Sequence, residues 1–318
     1  VLAQAITLVE SSRPSDASLA SALLHEIVPH SGNSLRVGIT GAPGVGKSTF
    51  IEAFGTHIIN EGKNLAVLTI DPSSQQSKGS ILGDKTRMDL LSKNPQAFIR
   101  PSASGNTLGG VAGKTRETIL LCEAAGFDVI LIETVGVGQS ETAVKNMVDY
   151  FLLLLLPGGG DELQGIKKGV VELADGIVVT KADGDNVARA NQTRAEFQQA
   201  LHVLHTRNAP IQPEVITASS ITGEGIEKIW SSIRTFHAKS VESGWFKTNR
   251  KSQDLNWFDE HFSFLLQSQL AQSVKVQEKI SFFRDAIRQK TISPTTAASM
   301  LLDFLNQHGL AGNPETRK

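Results

Sequence analysis

The pattern of apolar and polar positions divides the chain into three stretches. Over residues 1–32, Leu2, Ile6 and Val9, then Leu19, Leu23, Leu24 and Ile27, recur at helical spacing, with Pro14, Pro29 and Gly32 as breaks. Two short helices are predicted there. From Leu35 the period changes. Short runs rich in Leu and β-branched residues recur at 35–40, 65–70, 97–100, 128–133, 150–156, 176–180 and 214–218. Several, such as 129–132 and 152–156, are apolar throughout, as strands covered on both faces are. Helical stretches separate them, one marked by Val187, Ala190, Phe197, Leu201 and Leu204. Alternating strands and helices predict an α/β fold, a mostly parallel sheet flanked by helices. After Gly225 the strand pattern stops. The stretches 226–241, 257–270, 276–288 and 295–308 read as helices, with Ser293-Pro294 as a helix start and the polar stretch 243–256 as a linker. The expected organisation is an N-terminal helical segment (1–32), an α/β domain (33–242) and a linker with a C-terminal helical extension (243–318).

Composition narrows the classes. The 318 residues are 40% hydrophobic and 20% charged, a balance typical of globular chains. A net charge of −1 argues against a nucleic-acid partner held by bulk electrostatics. The single cysteine, Cys122, excludes a disulfide framework and a multi-cysteine zinc site, so a reducing, cytoplasmic setting is expected. The apolar run 151–156 ends at Pro157 and is far too short to span a bilayer, so no membrane association is expected.

One segment carries specific chemistry. Gly41-Ala42-Pro43-Gly44-Val45-Gly46-Lys47-Ser48 fits G-x-x-x-x-G-K-[ST] between the apolar run 35–40 and a helix expected from Thr49 to Ile59. Glycines let successive N–H groups turn toward one anion, and the helix N-terminus adds partial positive charge. Lys47 is expected to reach the β- and γ-phosphates and Ser48 to bind Mg²⁺. Ala42 occupies the place where one subclass of dimeric ATPases carries a second lysine, so that subclass is not supported.

Thr180-Lys181-Ala182-Asp183 follows the run that begins at Gly176 and matches [NT]-K-x-D. A carboxylate accepts two hydrogen bonds, and guanine offers two adjacent donors. Adenine would leave Asp183 desolvated and unpaired, at a cost of about 1–3 kcal/mol. The Lys181 stem can lie over the purine. Ser219-Ser220-Ile221-Thr222-Gly223-Glu224-Gly225 is similar to the S-A-x-x-G-x-G turn that closes over guanine, with Ser220 where Ala is usual. GTP and GDP are therefore the expected ligands.

Glu133-Thr134-Val135-Gly136 fits [DE]-x-x-G, a hinge whose acid faces Mg²⁺ and whose Gly136 N–H meets the γ-phosphate. Asp71 and Asp84 are further candidates for the metal. Mg²⁺ takes only one or two carboxylates directly, so some of the three acids would act through water. A surface acid ending a turn is the alternative for Asp71 and for Asp84. Gln139 is a candidate for orienting the attacking water, although its spacing from Gly136 differs from the Gly-Gln pair of Ras-like GTPases. The Gly-rich, charged stretch 158–169 reads either as a rearranging loop or as plain surface.

In this order, GAPGVGKS, DPSS, ILGDKTRM, ETVGVGQSE, PGGGDELQGIKKG and TKAD resemble the MeaB/ArgK family of SIMIBI-class P-loop GTPases over roughly residues 35–240. The resemblance implies a chaperone of the adenosylcobalamin enzyme methylmalonyl-CoA mutase, active in cofactor loading and protection, and a homodimer built with C-terminal helices. It implies phosphate and Mg²⁺ roles for Lys47, Ser48, Asp71, Asp84 and Glu133, guanine recognition by Lys181 and Asp183, and a further switch at 158–169. Two alternatives are a metal-insertion GTPase of the same branch and a P-loop kinase. The first normally carries Cys- or His-rich tracts, and the scattered His residues do not supply one. TKAD and SSITGEG favour GTP over the second.

Overall fold

The apolar runs form one seven-stranded, all-parallel sheet in the computed structural model, which describes residues 1–11, 13–70, 88–101, 108–134, 140–158, 168–204 and 211–308. The strands are β1 (Leu35–Gly41), β2 (Leu65–Ile70), β3 (Ala97–Pro101), β4 (Val129–Thr134), β5 (Tyr150–Leu155), β6 (Gly176–Val179) and β7 (Glu214–Thr217). Their order is β3-β2-β4-β1-β5-β6-β7. Register places Ile39 beside Glu133, Gly41 beside Leu154, and Val179 beside Thr217. All strand C-termini therefore open on one edge, with β1 at the centre.

Alternation along the strands feeds different layers. Val37, Ile39, Val67 and Leu131 join Phe50, Phe54 and Trp230 on one face. Ala66, Leu68, Ile130 and Ile132 join Ile6, Cys122 and Met147 on the other. The helices α1 (Leu2–Glu10) and α2 (Pro14–Ile27) cover that second face with α5 (Leu108–Ala124). Burial pushes the Cys122 thiol up to about 12, and the charge of Glu123 adds to the shift.

Charge is locked at the N-terminal ends of the central strands. Arg36 forms a two-pronged bond to Glu123, with Nε and one terminal nitrogen each 2.8 Å from a carboxylate oxygen. Arg250 donates to both oxygens of Asp149 at 2.5 and 2.7 Å, to Glu123 at 3.3 Å and to the Ser34 carbonyl at 2.9 Å. The Gly32 N–H completes Glu123, and the Arg36 N–H donates to Asp149. Burial alone would raise the Glu123 carboxyl, but hydrogen bonding and charge from Arg36, with Arg250 and Gly32, hold it below the usual carboxylate range.

Arg250 belongs to the stretch that polarity predicts as a linker. From Trp245 onward that stretch is helical, in α10 (Trp245–Gln272), after α9 (Ile226–Glu242). Two of its polar side chains meet strand beginnings: Gln253 donates to the Val148 carbonyl at 2.8 Å and Arg250 to that of Ser34, while Arg250 also lies over the Phe246 ring. The chain divides into two compact units, Val1–Asp254 and Leu255–Lys318. In the second, Val276 and Phe283 of α11 (Val274–Arg288) and Ala297 of α12 (Pro294–His308) are buried. Pro294 opens α12, and the Ser293 hydroxyl accepts the Thr296 N–H at 3.1 Å, the cap expected of Ser-Pro. Phe258, Phe262 and Leu265 are exposed. No helix among the described residues is long and apolar enough to cross a membrane.

Candidate nucleotide site

The C-terminal ends of β1, β4, β6 and β7 bring the motif segments to one edge of the sheet, where open parallel sheets bind ligands. The loop leaving β1 passes very close to β5: a side chain at Gly41 would put its Cβ 2.7 Å from the Leu154 carbonyl oxygen. Gly44 and Gly46 adopt left-handed φ of 81° and 94°, which turns the chain into α3 (Lys47–Asn60). The first N–H groups of α3 lack helical acceptors and face the loop. Ala42, Pro43 and Gly44 are exposed, Val45 is buried beneath them, and Ser48 and Thr49 lie in the first turn of α3.

Lys47 is buried, and its ammonium is 2.8 Å from the Gly41 carbonyl and 3.3 Å from that of Ala42. Burial pushes the Lys47 ammonium below the usual lysine range, while the charges of Glu133 and Glu141 work the other way. Glu133 is half-buried at the end of β4. Next to it, Thr134 donates to Thr40 at 2.8 Å, a buried bond that ties the hinge strand to the strand of the phosphate loop.

The base-reading elements adjoin the same loop. The Thr180 hydroxyl lies 2.8 Å from the Val45 carbonyl and 3.1 Å from that of Leu155. Lys181, in a left-handed conformation (φ 53°), donates to the Gly44 carbonyl at 2.9 Å. Asp183 accepts from the Ser219 hydroxyl at 2.5 Å. Ser219 in turn accepts the N–H groups of Ile221 and Thr222 at 3.2 and 3.1 Å. The turn ends at Gly225, where a Cβ would lie 2.2 Å from the Thr217 carbonyl oxygen.

Lys47, Ser48, Glu133, Lys181, Asp183, Ser219, Ser220 and Ile221 thus share one edge. Asp71, Asp84, Gly136 and Gln139 lie outside the described residues, as does 159–167. The sequence reading missed Glu141 at the start of α6 (Ser140–Lys145), a buried acid whose charge reaches Lys47. Its place in Gln139-Ser140-Glu141, just beyond the hinge, was the available signal.

The profile of the methylmalonyl Co-A mutase-associated GTPase MeaB matches residues 2–278. The chain belongs to the MeaB family. By fold and family it is a P-loop GTPase, and the family binds guanine nucleotides. GTPase ArgK of Escherichia coli is 46% identical over 304 residues, covering 96% of this chain and 92% of its own length. A mouse protein named methylmalonic aciduria type A homolog, mitochondrial, is 45% identical, covering 96% of this chain and 77% of itself. A crystal structure titled LAO/AO transport system kinase superposes with a TM-score of 0.78 at 40% identity, covering 96% of this chain and 92% of that one.

Proposed function

We propose that this MeaB-family GTPase binds GTP with Mg²⁺, hydrolyses it to GDP and phosphate, and acts as a nucleotide-driven chaperone of an adenosylcobalamin-dependent methylmalonyl-CoA mutase in the cytoplasm. The observation that carries the nucleotide reading is where two cations point. Lys47 and Lys181 both donate to carbonyls of the phosphate loop, and the charges of Glu133 and Glu141 also act on Lys47. A phosphate entering the loop offers Lys47 a charged acceptor in place of a neutral one, a stronger bond.

In this reading residues 41–49 cradle the phosphates, and Lys47 turns from Gly41 to the β- and γ-phosphates. Asp183, oriented by Ser219, accepts from the guanine edge. Ile221 N–H is engaged by Ser219 within the turn, and Ser219 N–H by the Glu224 carbonyl. The Ser220 N–H is therefore the donor we assign to the guanine carbonyl. Hydroxyl and carboxylate oxygens suit a hard cation. Ser48 with Glu133, Asp71 and Asp84, directly or through water, would hold Mg²⁺, which neutralises phosphate charge when bound. Gly136 N–H is assigned to the γ-phosphate and Gln139 to orienting the in-line water.

The partner reading draws on the family description and the mouse relative's name. The homodimer draws on the exposed apolar row Phe258, Phe262 and Leu265 of α10. Among the described residues no group of His, Cys, Asp and Glu is arranged to hold a metal as cargo, so nothing there favours the metal-insertion alternative. The proposal is tested by GTP turnover measured with and without purified methylmalonyl-CoA mutase, alongside ATP. Turnover raised at least tenfold by the mutase and confined to GTP is expected. Unchanged GTP turnover together with no co-elution would reject the chaperone role.

A further inference from the structure

Two neighbouring strands of the sheet, β1 and β4, carry a threonine near their C-terminal ends. The Thr134 hydroxyl donates to the Thr40 hydroxyl at 2.8 Å, and Thr134 and Thr40 are 0% and 1% exposed. Alternation puts both on the face that carries Ile130 and Ile132, and puts Glu133 on the opposite face, with Leu131 and α3. Their lateral neighbours in the sheet are apolar, Leu153 beside Thr40 and Ile70 beside Thr134. Packing alone would be met by Val at both positions, and a buried hydroxyl is costly unless it is bonded. The two hydroxyls satisfy each other, so the pair is a polar device set in an apolar layer.

The pair stands where the backbone ladder between the two strands ends. The register of β1 with β4 runs from Leu35 beside Val129 to Ile39 beside Glu133. Past that point Thr40 and Gly41 are in register with β5, and Thr134 with β2. The hydroxyl bond is therefore the next link between β1 and β4 beyond their ladder. Each partner is one residue from a group of the nucleotide site. Gly41, after Thr40, gives its carbonyl to Lys47 at 2.8 Å. Glu133, before Thr134, is half-buried, and its charge acts on Lys47. A bond at this level fixes the end of β4 in distance from β1 and in rotation about its own axis, and Glu133 projects from that end.

We propose that Thr40 and Thr134 are positioning residues for the metal-side acid Glu133: their hydroxyl bond holds the end of β4 to the strand that enters the phosphate loop, and so sets the reach of Glu133 toward the Mg²⁺ side of a bound triphosphate. This rests on the reading of Glu133 as a Mg²⁺-side group. Neither threonine touches nucleotide or metal in this role. The bond constrains direction more than it adds stability, because replacing both hydroxyls of a buried pair by apolar groups of the same shape is close to neutral for folding. Its loss shows in how far Mg²⁺ strengthens triphosphate binding.

The experiment compares the double variant Thr40→Val/Thr134→Val, Thr134→Ala, Thr134→Ser and Glu133→Gln with the unmodified full chain. Calorimetry with the non-hydrolysable analogue guanylyl imidodiphosphate gives the ratio of its affinity with Mg²⁺ to its affinity in EDTA. GDP affinity in EDTA and the urea unfolding midpoint are measured beside it. In the double valine variant the ratio should fall about tenfold, the equivalent of one hydrogen bond. GDP affinity should stay within about twofold and the urea midpoint should not move. Thr134→Ala removes the same donor without placing a methyl group against the Thr40 oxygen, and should lower the ratio alike. Thr134→Ser keeps the donor and should match the unmodified chain, whereas Glu133→Gln should lower the ratio at least as far as the double valine variant does. A ratio lowered in Glu133→Gln but unchanged when the hydroxyl bond is removed overturns the positioning role and leaves the metal reading standing. An unchanged ratio in Glu133→Gln removes the metal reading and the proposal with it. An equal loss in Thr134→Ser assigns the effect to the Thr134 methyl group, and a GDP affinity that falls in EDTA assigns it to the phosphate loop itself. Either result also overturns the proposal.

Discussion

The two ends of the sheet treat charge in opposite ways. At the N-terminal end, Arg36, Glu123, Asp149 and Arg250 form a closed set, each cation meeting a carboxylate through two donors. At the C-terminal end, Lys47 and Lys181 rest on neutral carbonyls of the loop between β1 and α3. Buried charges that are fully paired are hard to exchange, because any rearrangement exposes an uncompensated ion. Cations held by backbone carbonyls, buried at Lys47 and exposed at Lys181, are ready to exchange, because an anionic ligand improves their situation. One end is thus built to stay as it is, and the other to receive phosphate.

The sharpest way to break this contrast is a pair of truncations. Arg250→Ala leaves the buried Asp149 carboxylate without its cation and should cost about 3–5 kcal/mol of stability in urea unfolding, while the folded protein keeps its GDP affinity. Lys47→Ala should do the reverse. Nucleotide affinity should fall by about 100-fold, with no loss in the melting temperature of the nucleotide-free protein, since burial disfavours the ammonium it removes. If both variants lose similar stability, the ends do not differ in kind.

A smaller effect probes the base-reading side. Asp183→Asn replaces an acceptor by a group that also donates, and xanthine presents an acceptor where guanine has an amine. The ratio of GTP to XTP affinity should move by about 100-fold toward XTP. Calorimetry with both nucleotides reads this directly, and an unmoved ratio would take base recognition away from Asp183.

The smallest effect concerns acid. The folded Glu123 carboxyl is depressed from its ordinary value of 4.5. Its contribution to stability is therefore complete above that pH and is lost as pH falls through the lower folded value. In Glu123→Gln the dependence of unfolding free energy on pH below 4.5 should flatten by up to about 1.4 kcal/mol per pH unit. Urea midpoints collected from neutral pH down to the acid limb of folding measure it, and parallel acid limbs would assign the depression elsewhere.

Much of this architecture was readable before any coordinates. Strands covered on both faces leave unbroken apolar runs, and all seven runs became strands of one sheet. The phosphate loop was legible because its residues are consecutive and constrained by backbone geometry, as at Gly41, Gly44 and Gly46. The charge network was not. Arg250 meets Asp149 and Glu123 across more than a hundred residues of chain, and a polar helix face turned toward strand beginnings looks like an exposed linker in one dimension. The Thr40–Thr134 bond joins two strands only because register brings them level.

The burial of Cys122 has a practical consequence for following the protein in motion. It is the sole thiol in the chain, it is fully enclosed, and its ionisation lies near 12. Only the thiolate attacks maleimides and iodoacetamides at a useful rate. Native protein at neutral pH should therefore leave these reagents unreacted without any substitution of Cys122. Single cysteines placed on the exposed faces of α8 (Val187–Leu204) and α10 would then accept a fluorophore pair in an otherwise unmodified background. Distances between them could be recorded through a whole cycle of GTP binding, hydrolysis and release.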